Sequence, residues 1–229
     1  MVMKPVGDQA VLVEFGSRIE EETNRKVMAF AALLSAETVP GFRECVPAFA
    51  SLLVCYDPLV TEYETMCGIL EGLAAAHGSA AAGDAGGHLV EIPVCYGGSY
   101  GEDLGFVAEH AGLSTEEVIH IHSGRNYRIY MLGFLPGFPY LGGMDARIFT
   151  PRLSNPRTRI PAGSVGIGGE QTGIYPMDSP GGWQLIGRTP WKLFDPMAGG
   201  KTRYEAGDVI RFVPISEAQF REYEAAEGL

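Results

Sequence analysis

The chain has 229 residues, of which 46% are hydrophobic and 20% are charged, the composition of an ordinary globular protein. Seventeen basic residues stand against 28 acidic ones, which gives a formal net charge of −11 at pH 7. Nucleic acids and anionic membrane surfaces are bound through basic surfaces, so this charge argues against both partners.

The four cysteines, Cys45, Cys55, Cys67 and Cys95, are widely spaced and form no CxxC pair. This spacing argues against a zinc site or a disulfide framework and predicts reduced, buried thiols with no metal bound. The N-terminus lacks the apolar core of a signal peptide, and no apolar run reaches the ~18–20 residues that a membrane span requires. We therefore predict a cytoplasmic protein.

The first part of the chain alternates strand-like and helix-like patterns. In chain order, the predicted elements are a strand at 10–15, a helix begun by a capping box of Ser17 and Glu20, strands at 44–49 and 51–56, and a helix begun by a capping box of Thr61 and Glu64. A last strand over residues 88–96 would complete a split βαβ, ferredoxin-like unit with its helices on one face of the sheet.

Residues 74–87 contain mainly alanine and glycine, a composition typical of a linker. We place the domain boundary at its end. The prediction is thus a small α/β domain over residues 1–87 and a second domain over residues 88–229.

The second domain begins with helical patterns and then changes character. Residues 101–110 read as a helix, and a capping box of Ser114 and Glu117 begins another that ends near Ser123. From Tyr127 onward glycine, proline and aromatic residues dominate, and they disfavour long helices because Gly costs about 1 and Pro about 3 kcal/mol in a helix interior. Short strands with frequent turns predict a β-barrel or a β-sandwich.

The glycine-rich segment 163–173 matches no nucleotide-binding motif. No Gly-Lys-Ser/Thr follows it, and Gln171 occupies a position where the dinucleotide fingerprint requires a small residue. Ser164 lies in a sequence similar to a nucleophile elbow, but further glycines follow in place of a helix, so a barrel turn is the better interpretation. The backbone amides around residues 166–173 could instead stabilise developing negative charge.

His120 and His122 are separated by one residue, so on a helix their rings point to different sides and would not share a metal. His122 directly precedes the Gly/Pro-rich half of the chain. A catalytic role and a structural hydrogen bond both remain open for it.

Four arginines stand in Pro/Gly loops of this acidic chain: Arg152, Arg157, Arg159 and Arg188. The planar guanidinium bonds two oxygens of a carboxylate or phosphate at once. Either one or two of the four bind an anionic ligand, or each bonds a loop carbonyl or pairs with a surface acid. We predict a site in one pocket beside the glycine-rich turns, with catalytic members His122, Arg152, Gln171 and Arg188.

Several motifs in the second half occur together and in order. They are Gly133-Phe134-x-Pro136-Gly137-Phe138-x-Tyr140-Leu141, Pro161-Ala162-Gly163-Ser164-Val165, Gln171-Thr172-Gly173-Ile174-Tyr175-Pro176 and Ser179-Pro180-Gly181-Gly182-Trp183. In these residues the chain resembles the KipI family, also called allophanate hydrolase subunit 1 or the B subunit of 5-oxoprolinase. The resemblance covers most of residues 88–215. It implies an α+β protein with a small α/β N-terminal domain and a cyclophilin-like β-barrel as C-terminal domain.

The resemblance also implies an activity. Such proteins are the B subunit of an ATP-dependent 5-oxoprolinase, which cleaves 5-oxoproline to glutamate. They act in complex with a KipA-like protein, which is the C subunit, and with a third protein, which is the A subunit. ATP with magnesium is implied, at a site that is unusual or shared with the partner because the chain has no P-loop.

Two alternatives to this activity are a module that inhibits a sporulation-type histidine kinase and a subunit related to urea carboxylase or allophanate hydrolase. The last would need a biotin carrier, which is absent from this chain.

Two further sets of site residues complete the prediction. Aromatic side chains either line a pocket or pack in the core, and exposed apolar residues in a rigid loop are typical of an interface. We assign substrate binding to Tyr140, Ser164, Tyr175, Ser179 and Trp183. We assign partner contact to Phe134, Pro136 and Phe138.

Overall fold

Residues 1–18, 20–77 and 87–227 are described by the computed structural model of the chain. They divide into two units, Met1–Gly86 and Gly87–Leu229. The predicted linker falls largely outside the described residues, since 78–86 are not among them. Its first four residues, 74–77, are not linker at all but the last turn of a helix.

The first unit is one sheet with two helices. Its elements are β1 (Val2–Val6), β2 (Ala10–Glu14), α1 (Glu21–Ala36), β3 (Phe42–Pro47), β4 (Ser51–Tyr56) and α2 (Tyr63–His77). The four strands found in the described residues are antiparallel neighbours in the order β1-β2-β4-β3. Strands β2 and β3, joined by α1, therefore flank β4, which is the predicted split βαβ arrangement.

Hydrophobic alternation explains why the helices cover one face of this sheet. Val11 and Val13 on β2 point to the same side, because side chains two apart share a face of a strand. They pack with Val27 and Leu34 of α1 and Leu70 of α2, and all five are buried. The apolar stripe predicted for α1 is thus its core face.

Three local predictions for this unit are wrong. The strand 88–96 belongs to the second unit, and β1 takes its place at the sheet edge. Helix α1 begins at Glu21 with Glu20 as its N-cap, so the Ser17/Glu20 capping box does not form. Helix α2 begins at Tyr63, and the Thr61 hydroxyl donates to the Pro40 carbonyl 2.6 Å away instead of capping a helix.

The second unit is a barrel with helices and small ribbons around it. Its strands are β5 (Leu89–Tyr96), β6 (Asn126–Leu132), β7 (Pro139–Gly142), β8 (Arg157–Ile160), β9 (Ser164–Gly168), β10 (Gln171–Ile174), β11 (Ser179–Gly181), β12 (Gln184–Arg188), β13 (Phe194–Asp195), β14 (Lys201–Thr202) and β15 (Val209–Pro214). Seven of the strands described here close into a barrel in the order β10-β7-β6-β15-β5-β12-β9. Strands β8 and β11 form a separate two-stranded ribbon, and so do β13 and β14. The predicted α+β architecture with a β-barrel is confirmed.

Helices α3 (Leu104–Ala111), α4 (Thr115–Ser123) and α5 (Glu217–Glu227) accompany the barrel. The predicted capping box of α4 is confirmed: Ser114 Oγ accepts from the Glu117 amide at 3.1 Å, and the Glu117 carboxylate accepts from the Ser114 amide at 2.8 Å. Val107 of α3 and Val118 of α4 are buried in the same core as the barrel interior. None of the helices in the described residues has the length and hydropathy of a membrane-spanning helix.

Candidate functional site

A pocket of about 300 Å³ opens in the second unit beside the β8–β11 ribbon. Half of its lining residues are aromatic, and the lining comes from several separate segments. The lining residues are Phe134, Phe138, Tyr140, Arg152, Pro156, Tyr175, Pro180, Gly181, Gly182 and Trp183. A largely apolar pocket with a few polar groups is typical of a site for a small ligand.

The floor of this pocket is a cluster of edge-to-face rings centred on Phe138. Its centroid lies 5.1 Å from that of Tyr140, 5.4 Å from Tyr175 and 5.5 Å from Trp183, with interplanar angles between 62° and 79°. Edge-to-face aromatic pairs at these separations add stability beyond the area they bury. The floor is therefore a rigid surface with fixed ring orientations.

Glycines make room for the Trp183 ring. A methyl group on Gly168 would lie 2.3 Å from Trp183 Nε1, and one on Gly173 would lie 3.1 Å from Trp183 Cζ3. A methyl group on Gly181 would lie 2.6 Å from Tyr175 Oη. The glycine pattern in this half thus serves close packing of two pocket aromatics, a role that the sequence interpretation missed.

Arg152 is the cation of the pocket. Its guanidinium carbon lies 5.7 Å from the centroid of the Trp183 ring, and no carboxylate of the described residues lies within ion-pair distance of it. The backbone on each side is anchored, because Gln184 Nε2 donates to the Pro151 carbonyl at 2.9 Å and the Leu153 amide donates to the Gly182 carbonyl at 2.7 Å. Arg152 therefore presents an uncommitted positive charge from a fixed position.

The other three arginines are held by protein groups. Arg157 pairs with Asp103 at 2.8 Å and Glu102 at 2.9 Å. Arg159 pairs with Asp178 at 2.7 Å. Arg188 Nε donates to the Ala162 carbonyl at 2.9 Å, and its side chain lines a second pocket of about 130 Å³. Of the two alternatives left open for the arginines, ligand binding fits Arg152, and the structural alternative fits Arg157 and Arg159.

His122 is enclosed in the barrel core. It is 0% exposed, Tyr96 Oη lies 2.8 Å from its Nδ1, and Thr172 Oγ1 lies 2.8 Å from its Nε2. Because the Thr172 hydroxyl donates to the Gly166 carbonyl at 3.0 Å, it accepts from His122 Nε2–H, and Nδ1 then accepts from Tyr96. Burial lowers the pKa of His122 from 6.5 to about 3, so the ring is neutral at neutral pH. Of the two alternatives left open for His122, the structural hydrogen bond fits this burial.

This burial predicts a pH-dependent stability. Burial lowers the pKa of His122 in the folded state below its value in the unfolded chain. The contribution of the neutral ring to the free energy of unfolding is therefore fully present above pH 6.5 and is lost as pH falls toward 3. Between pH 7 and pH 5 the free energy of unfolding should fall by roughly 2 kcal/mol from this group. Urea unfolding at both pH values measures it. The His122→Asn variant should lack this loss, and His110→Asn, on an exposed position of α3, should keep it.

The remaining predicted residues do not converge on the pocket as a set. Gln171 is half-buried on β10 opposite Gly168 and does not line the aromatic pocket. The Ser164 hydroxyl donates to the Pro161 carbonyl at 2.7 Å. Ser179 is buried, and within the described part of the chain its hydroxyl has no hydrogen-bond partner. His122, Arg152, Gln171 and Arg188 therefore do not share one pocket.

The glycine-rich amides are not available for an anion, contrary to the sequence interpretation. Residues Gly166 and Gly173 face each other in the β9–β10 pair, and Gly168 faces Gln171. Gly169, at φ +67°, makes the turn between the strands, and its amide donates to the Thr150 carbonyl at 2.8 Å. These amides are used by the barrel ladder and its edge.

The predicted partner-contact residues fall into two groups. Phe134 is 62% exposed, and Pro136 is also exposed. Phe138 is only 2% exposed and forms the centre of the aromatic floor, so it is a core residue and the prediction of partner contact is wrong for it.

Comparison with known proteins places the chain among relatives. Residues 1–202 match the family described as carboxyltransferase domain, subdomain C and D. The chain is 47% identical to the B subunit of 5-oxoprolinase from Bacillus subtilis (strain 168), over 96% of this chain and 95% of that protein. It is 40% identical to the B subunit of 5-oxoprolinase from Haemophilus influenzae, over 93% of this chain and 97% of that protein. A crystal structure of a conserved uncharacterized protein from Pyrococcus horikoshii is 49% identical, covers 96% of this chain and 100% of that chain, and has a TM-score of 0.56.

Proposed function

This chain belongs to the carboxyltransferase subdomain C and D family, and on that premise we propose that it is the B subunit of an ATP-dependent 5-oxoprolinase. The reaction opens the lactam ring of 5-oxoproline to give glutamate. The relatives that carry this name match the chain over nearly its whole length, which supports the same role here.

The observation that carries the proposal is the uncommitted Arg152 beside the Trp183 ring in an aromatic pocket. 5-Oxoproline is a five-membered ring with one carboxylate. In the proposed complex the ring lies on the aromatic floor and the carboxylate pairs with the Arg152 guanidinium. A charge-assisted pair of this kind fixes both position and orientation of the substrate.

The aromatic pocket and the glycine-rich turns do not fit a triphosphate. The glycine-rich amides are used within the barrel, and Arg152 is the single cation among the residues that line the aromatic pocket. Nor does the described part of the chain contain a cluster of three or more His, Cys, Asp or Glu side chains arranged to hold a metal ion. We therefore assign ATP and magnesium to a site completed by other subunits, and the role of this chain is to bind and orient 5-oxoproline.

The proposed role implies a complex of several subunits. We propose that its other members are a KipA-like protein, which is the C subunit, and a third protein, which is the A subunit, and that the complex acts in the cytoplasm. Pro136 is exposed in the turn between β6 and β7 and does not line the pocket. The predicted partner contact is accordingly proposed for Pro136.

Substitution of Arg152 tests the proposal. In the complex reconstituted from all three subunits, Arg152→Ala should lower kcat/KM for 5-oxoproline at least tenfold, since a lost charge-assisted bond costs about 1.5–3 kcal/mol. The readout is ADP and glutamate released in the presence of 5-oxoproline. Inhibition by 2-pyrrolidinone, which has the lactam ring without the carboxylate, should be unchanged by the substitution.

The matched control is Arg159→Ala, because Arg159 is an exposed arginine of the same region that pairs with Asp178 and does not line the pocket. It should keep wild-type activity. Full activity in Arg152→Ala would remove Arg152 from the site. A wild-type complex that releases no ADP in response to 5-oxoproline, or a chain that alone inhibits histidine-kinase autophosphorylation, would overturn the proposed function.

A further inference from the structure

Phe134 has an unusual backbone conformation at the mouth of the aromatic pocket. Its φ is +65°, and it is the one residue other than glycine with positive φ in the described part of the chain. A large side chain is rarely found there, because its Cβ crowds the backbone. Such strain persists only where the surroundings over-determine it, and strained residues cluster at ligand-binding sites.

The surroundings of Phe134 fix the turn from both sides. The Gly133 amide donates to the Phe138 carbonyl at 3.1 Å, and the Phe138 amide donates to the Leu135 carbonyl at 3.0 Å. Beneath the turn, the buried Tyr204 Oη donates to the Gly137 carbonyl at 2.8 Å. The backbone of residue 134 is therefore set by its neighbours and not by its own side chain.

Burial of the Phe134 ring does not explain the strain. The side chain is 62% exposed, and its contact with the floor is one edge-to-face pair with Phe138, at 5.6 Å and 87°. A glycine would satisfy the same backbone conformation without crowding. What the phenylalanine adds is an aromatic wall at the open side of the pocket.

We infer that Phe134 is a specificity-determining residue that covers the ring of the bound substrate and limits its size. This inference rests on the proposed function. Arg152 selects the carboxylate, the floor around Phe138 supports one face of the five-membered ring, and Phe134 closes over the ring. A substrate with an added substituent on the ring would meet the Phe134 side chain.

Two variants separate this role from stability. Phe134→Gly and Phe134→Ala both remove the ring, but alanine keeps the strained Cβ, so the glycine variant should have the higher Tm by about 2–4 °C. Despite this difference in Tm, both variants should raise the KM for 5-oxoproline by about three- to tenfold, because each loses the binding free energy of one aromatic contact. The preference for 5-oxoproline over its 4-methyl derivative, as a ratio of kcat/KM, should fall by a similar factor in both.

The control for loss of an exposed phenyl group is Phe106→Ala, on α3 and outside the pocket, which should keep the KM and the preference. Co-elution of each variant with the other subunits is measured in parallel. The inference is overturned if the wild-type complex turns over 5-oxoproline and the Phe134 variants keep its KM and preference, or if they lose only their binding to the other subunits. A wild-type complex without 5-oxoproline turnover overturns the proposed function, and the inference with it.

Discussion

Gly168→Ala is expected to destabilise the protein by roughly 1–3 kcal/mol and to lower 5-oxoproline turnover between about tenfold and a hundredfold. The added methyl group would lie 2.3 Å from Trp183 Nε1 and 2.4 Å from its Cδ1. Trp183 is 5% exposed and packs against Phe138 and Tyr175, so its ring cannot move away from residue 168 without disturbing these contacts or entering the pocket that it lines. The expected result is a displaced ring, and with it a displaced wall of the substrate pocket.

The neighbouring glycine supplies the control. Gly169→Ala also introduces a methyl group, at φ +67°, but nothing lies within 4 Å of it. It should cost about 1 kcal/mol of stability through backbone strain and leave turnover close to wild type. Urea unfolding gives the stabilities, and ADP release by the complete complex gives the turnover.

A double substitution identifies the cause. In Gly168→Ala combined with Trp183→Phe, the smaller ring should make the two losses of stability less than additive, because both changes act through one contact. Additive losses of stability would show that the methyl group at residue 168 does not act through the Trp183 ring. Equal turnover by Gly168→Ala and Gly169→Ala would show that the position of the Trp183 ring does not affect substrate binding.

Local patterns were enough to predict elements whose contacts are close in sequence. The capping box of α4 was predictable because Ser114 and Glu117 are three residues apart and hydrogen-bond each other. The strand over residues 88–96 was recognisable from its β-type composition. Its place was not, because β5 pairs with β15, and Leu89 lies opposite Val209, 120 residues later.

The candidate site was less predictable for the same reason. The four arginines have similar sequence surroundings, and only partners distant in sequence distinguish them. Arg157 forms an ion pair with Asp103, 54 residues away, whereas the Arg152 guanidinium lies over the Trp183 ring. Gly168 was interpreted as part of a barrel turn with available backbone amides, because the bulky ring that requires a glycine there comes 15 residues later. Small residues alternating on a strand, followed by a tryptophan, are the signal that could have found this packing.

Asp103→Ala is expected to cost about 3 kcal/mol, because it removes the carboxylate that accepts from both Arg157 and the Leu185 amide. Asp103 Oδ1 accepts from Arg157 Nη2 at 2.8 Å, and Oδ2 accepts from the Leu185 amide at 2.6 Å. The Asp103 side chain is 14% exposed and that of Arg157 is 23% exposed, so water replaces these bonds poorly. An aspartate just before a helix would be expected to cap it, yet this side chain makes no cap bond to α3 and ties the helix start to β12.

Glu102 is the control for the stability that the Asp103–Arg157 pair contributes. It also pairs with Arg157, at 2.9 Å, but its side chain is 61% exposed. Glu102→Ala should cost less than about 1 kcal/mol, as exposed pairs do. Arg157 Nη1 also donates to the Trp183 carbonyl at 3.3 Å, so the loss of Asp103 should reach the pocket and raise the KM for 5-oxoproline, whereas Glu102→Ala should not. Asp103→Asn, which keeps one acceptor oxygen, should fall between the two in stability. If Asp103→Ala and Glu102→Ala unfold at the same urea concentration, the partly buried pair with Asp103 contributes no more than the exposed pair with Glu102, and Arg157 holds the Trp183 segment without help from Asp103.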